Sequence, residues 1–132
     1  MSISNQEIHA TEFDEWVAVE FARLGAFTAL VVLVDISAQQ VTPLCSTYFN
    51  VVGDEIDWQE IVILFAGSGA DWDAACFFAV TALNGAPLDN PNARSKLHEL
   101  EARLDQDLLV LKEGHCFNRL GQRLTNEGIG LP

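Results

Sequence analysis

Phe27-Thr-Ala-Leu-Val-Val-Leu-Val-Asp-Ile36 is the stretch on which the fold turns. It is rich in β-branched residues. The apolar run it belongs to, Leu24 to Val34, is eleven residues long, and crossing a bilayer takes about 20. A continuous apolar run of this kind fits a β-strand buried on both faces.

Upstream of it, Phe13, Trp16, Val17, Phe21 and Leu24 recur at helical spacing. Thr11 followed by Glu12 and Asp14 forms a capping box, and acids near a helix N-terminus suit its dipole. Gly25 is a natural stop. The spacing predicts a helix over Glu12–Leu24, with Glu12, Asp14, Glu15 and Glu20 on its outer face. Residues 1–10 read as a loose lead-in.

Downstream, Ser37–Gln40 is a polar loop, and Leu44–Val52 reads as a second strand. Pro43 suits its start or an edge position. Asp57-Trp58-Gln59-Glu60 is a helix-start pattern, although Glu60–Phe65 also fits a short buried strand. Asp71 opens a further candidate helix, in which Trp72, Ala75, Cys76, Ala79, Val80 and Leu83 share one stripe. Its alanines favour helix, while Cys76–Val80 also allows a strand.

The clearest element follows. Asn90 caps, Pro91 takes the first helical position, and Leu97, Leu100, Leu104, Leu108 and Leu111 repeat at three and four up to Gly114. Glu99 and Arg103 are spaced as an ion pair. His115–Leu124 then suggests a short strand or hairpin around Gly121, and residues 126–132 a flexible tail. The 132 residues suit one domain. The expected class is α+β: helices packed on a small mixed β-sheet, a single layer pair, with one long amphipathic helix near the C-terminus.

The charge balance excludes several functions. Nineteen acids against seven bases give a net charge of −12. Nucleic-acid contacts need clustered Lys and Arg, and anionic lipid would repel this chain. Arg23 is the sole base before Arg94, whereas residues 94–132 are balanced. One face of the fold is therefore expected to carry a negative field, which attracts basic proteins. The plain alternative is acidity for solubility alone.

The N-terminal residues show neither a basic region nor an apolar core of a secretory signal. Cys45, Cys76 and Cys116 are odd in number, far apart and in apolar surroundings, which reads as free thiols of a cytoplasmic protein.

No complete catalytic motif is present. Gly67-Ser68-Gly69 lacks the glycine and lysine of a phosphate loop, and Asp71 and Asp73 would repel phosphate. His9, His98 and His115 lack metal-ligand spacing. Cys116, between His115 and Arg119, is the only cysteine with positive neighbours that could activate it. Neither a cofactor nor a metal is expected.

Two acidic clusters remain, Asp54, Glu55, Asp57 and Glu60, then Asp71 and Asp73. Each adjoins a tryptophan, Trp58 or Trp72. Helix caps beside core tryptophans are the plain reading. The functional reading is a partner-contact patch made of all eight residues. The sequence thus points to a small non-enzymatic module, immunity- or inhibitor-like, that binds a basic protein. The alternatives are a ligand pocket or enzyme site near Gly67–Asp73 and His115–Cys116, and a structural homo-oligomer built on the Leu97–Leu111 stripe.

Overall fold

The computed structural model describes residues 10–131 apart from Gln39 and Asp54. The expected lead-in thus lies, except for Ala10, outside the described residues. Phe27–Ser37 forms strand β1, and its first eight side chains are buried whichever face they point to. β1 is an inner strand of a five-stranded sheet. It pairs antiparallel on one side with β2 (Gln40–Val51) and on the other with β3 (Ala74–Val80), and β4 (His115–Asn118) and β5 (Arg123–Leu124) follow beyond β3. Every pairing is antiparallel, so the sheet is not mixed as expected. Pro43 sits in the edge strand β2, opposite Val34 of β1. The register slips there between Leu33 and Val34.

Both faces are covered, giving three layers rather than one layer pair. On one face lie α1 (Glu12–Leu24) and α2 (Trp58–Ala66). On the other lie α3 (Asn90–Gln106) and a 3₁₀ helix, Leu108–Glu113. α1 begins with the expected capping box: the Thr11 hydroxyl accepts from Asp14 N, and the Asp14 carboxylate accepts from Thr11 N. Glu20, expected on its outer face, is buried and held by Arg23 at 2.5 Å. α2 is the helix its Asp57 cap announced, and the strand alternative falls.

Residues 74–80 overturn the helical reading. Ala75 and Phe77 face α1 and α2, whereas Ala74 and Cys76 face α3. With both faces buried, no polar residue marks the period of two, and the alanines imitate a helical stripe.

The long helix starts one residue earlier than expected. Asp89 is its cap, accepting from Asn92 N. It ends at Gln106, because the Asp107 carboxylate accepts from Leu109 N and starts the 3₁₀ helix. Leu97, Leu100, Leu104 and Leu111 are buried, and Leu108 is exposed. The stripe is thus core, which takes it from the oligomer alternative. Arg103 reaches Glu113 at 2.5 Å, and Glu99 pairs with Lys96 instead. Gly114 is required by close approach, since a Cβ there would stand 2.8 Å from the Phe78 ring.

The segment expected as a tail is packed. Glu127–Ile129 is a 3₁₀ turn, and Ile129 and Leu131 lie in the α3-side core. The thiol reading fails for two of the three cysteines. Cys76 and Cys116 face each other across β3 and β4 and form a disulfide, while Cys45 is free and exposed. Among the described residues no helix is long and apolar enough to cross a membrane.

Candidate functional site

The turn between β4 and β5 gathers the chain around it. Gly121, at φ 78°, lends its carbonyl to Phe13 N, the start of α1. Asp14 accepts Trp58 N at 3.0 Å, so one carboxylate closes the start of α1 and holds the start of α2. The Trp58 indole N–H donates to the Arg119 carbonyl at 2.8 Å. Arg119 donates from Nε to the Trp72 carbonyl, pairs with Asp71 at 2.9 Å and lies over the Trp72 ring. The two tryptophans meet edge to face, 6.2 Å between centroids.

Two acidic clusters fourteen positions apart in sequence are joined in this way at one corner (Asp57 to Asp71). The described carboxylates of the expected patch take different roles. Asp57 caps α2 by accepting Glu60 N. Asp73 accepts Ile36 N at 2.6 Å and ties the start of β3 to the end of β1. Asp71 holds Arg119. Glu55 and Glu60 make no ion pair among the described residues. All five of these carboxylates are exposed. Asp54 lies outside the described residues.

Trp58 and Trp72 are only 4% and 3% exposed. They are therefore core residues, and no partner can use their rings as an anchor. The joined helix starts also explain part of the acidity, because their dipoles favour carboxylates.

The pocket alternative loses its chemistry. Cys116 is bonded and buried, so it offers no thiolate. His115 Nδ1 lies 2.8 Å from Arg123 Nη1. Arginine only donates, so Nδ1 is the acceptor and the ring proton sits on Nε2. Burial, then the Arg123 charge, hold the His115 pKa below its ordinary value. Ser68 closes the end of α2, donating to Phe65 O and accepting Ala70 N, so Gly67-Ser68-Gly69 is a helix-ending turn. One cleft of about 320 Å³ opens between β3 and α3, beside Phe78, Lys96, Leu100 and Arg103. Another, of about 400 Å³, lies among Val41, Leu108, Leu109 and Leu131. Neither adjoins Gly67–Asp73 or His115.

A second gathering of charge escaped the sequence. Trp16 lies against His115 with ring centroids 5.4 Å apart, and its buried indole N–H has no partner among the described residues. Glu20 and Arg23 from α1 act on the same histidine, which Arg123 holds from β5. The one local sign was Glu20–Arg23 at i,i+3; their meeting with His115 is purely tertiary. Among the described residues, no group of three or more His, Cys, Asp or Glu side chains converges as a metal site would require.

Comparison with protein-family models, with curated proteins and with solved structures finds no match to this chain.

Proposed function

We propose that the protein is a non-enzymatic binding module that recognises a basic protein partner through the acidic corner around Arg119, in the manner of an immunity or inhibitor protein. The observation that carries this is the exposure of Glu55, Asp57, Glu60, Asp71 and Asp73 on two segments that Arg119 ties together through Trp58 and Asp71, in a chain of net charge −12. Such a field raises the association rate of a positively charged partner more than it raises affinity. Asp57 and Asp73 also serve the fold, which leaves Glu55 and Glu60 as the carboxylates to vary.

The test is capture from the native host's lysate at low salt, followed by a salt gradient. A stoichiometric basic protein that elutes at moderate salt is expected. Glu55→Lys with Glu60→Lys should lower its association rate about tenfold and flatten the salt dependence. Capture and salt dependence unchanged in that variant would refute the reading.

The compartment belongs to the same proposal. The expected cytoplasmic location rested on an N-terminal stretch without secretory-signal features and on free thiols, and the Cys76–Cys116 bond removes the second support, since disulfides persist in oxidising compartments. Trapping thiols in intact cells decides it: both cysteines alkylated means the cytoplasm, and both protected means an oxidising compartment.

A further inference from the structure

The α2 helix is apolar on more than its buried side. Trp58, Ile61 and Phe65 enter the core, yet Ile63 and Leu64 stand outside at 73% and 56% exposure. From Ile61 to Ala66 the helix is apolar without a break, so its apolar surface extends beyond the side that packs on the sheet. Glu60, three and four residues before them, shares their face, and Asp57 and Glu55 precede it. α2 carries no Lys or Arg. An apolar pair bordered by carboxylates is the pattern of an interface centre with a charged rim.

We propose that the outer face of α2, centred on Ile63 and Leu64, is the docking surface for an amphipathic, lysine- or arginine-rich segment of the partner protein. This rests on the acidic-corner reading and adds to it the apolar contact that fixes the partner in place. Charge complementarity selects the occupant. A second copy of this chain docked on the face would bring two sets of Glu55, Asp57 and Glu60 to one interface with no Lys or Arg from either α2 to offset them, and like charges brought together oppose association. A basic segment covers the apolar pair and neutralises its border.

The probe is a synthetic amphipathic helix of lysine and leucine at helical spacing. A lysine–serine peptide of equal charge and a glutamate–leucine peptide are the controls. Binding is followed residue by residue through the amide NMR signals of the whole protein. The lysine–leucine peptide should shift residues 59–66 most. Ile63→Ser with Leu64→Ser should weaken it roughly tenfold while leaving the lysine–serine peptide unaffected. Both side chains are exposed, so the variant is expected to fold, and circular dichroism verifies this. Glu60→Lys is an independent probe of the same face and should also weaken binding.

Salt-dependent binding indifferent to Ile63 and Leu64 overturns this proposal and leaves the acidic-corner reading standing. Absence of salt-dependent binding by either lysine peptide overturns both. Tight binding of the glutamate–leucine peptide, or a dimer by light scattering that the double substitution returns to monomer, also overturns it.

Discussion

The two sides of the sheet are filled with different kinds of side chain. Under α1 and α2 lie Phe13, Trp16, Phe27, Trp58, Phe65, Trp72, Phe77 and Phe117, their neighbouring centroids 4.8 to 6.4 Å apart. Under α3 lie leucines, valines and Ile129, together with the Cys76–Cys116 bond. The helices explain the difference. α1 and α2 have thirteen and nine residues, and each offers only a few positions to the sheet. Aromatic rings bury about 150–250 Å² apiece, so a few suffice. α3 has seventeen residues and a 3₁₀ extension, and can close its side with leucines at regular intervals. The outer surfaces differ as well. α3 mixes Arg94, Lys96 and Arg103 with Glu99 and Glu101, whereas α2 shows only acids, Gln59 and apolar residues. The uneven charge along the chain is thus a difference between layers.

The largest expected effect tests the aromatic side. Phe77 is fully buried and meets six other rings, including Phe13, Trp58 and Phe117. Phe77→Ala should lower stability by about 4–5 kcal/mol, against about 3 kcal/mol for Leu100→Ala under α3, both read from denaturant unfolding. Equal losses would mean that the rings contribute no more than the leucines.

Next comes the bond that only the α3 side possesses. Cys76 and Cys116 are forty residues apart, and opening a loop of that size should remove about 3–4 kcal/mol. Reductant should therefore lower the melting temperature of the wild type and leave Cys76→Ala/Cys116→Ala unmoved. A wild type indifferent to reductant would show that the α3 side holds without the bond.

The smallest effect concerns pH. The pKa of His115 is held down by burial and by Arg123, so the unfolded chain takes up its proton more readily. The stability this gives is fully present above the ordinary value near 6.5, and it is lost as pH falls toward the lower folded value. His115→Gln should flatten the slope of melting temperature against pH in that range. An unaltered slope would show that other groups produce it.

Local signals carried much of the fold. Thr11 and Asp14 placed the start of α1, Gly25 its end, and the β-branched run placed β1. Asp57 announced α2, and Gly121 the β4–β5 turn. Each of these depends on residues a few positions apart. Part of the candidate site was legible in the same way, as acids beside tryptophans. The tryptophans proved to be core, and the exposure of Ile63 and Leu64 was not legible, since Ile61 to Ala66 are all apolar and only Gln59 and Glu60 in the first turn mark the outer side of α2. The break at Asp107 was hidden too, because leucine spacing continues through it while its carboxylate begins a new 3₁₀ turn.

By itself, then, the sequence determined the α+β class, the long C-terminal helix, the start of α1, the buried strand β1 and the acidic excess. These follow from capping chemistry, side-chain period and composition, which act within a turn or two of the chain. Tertiary structure alone decided that residues 74–80 are a strand, that Cys76 meets Cys116, that Arg119 joins the two acidic clusters and that Ile63 and Leu64 remain outside. Each of these depends on which distant segment lies alongside, and burying both faces of a sheet removes the alternation by which a strand could be read.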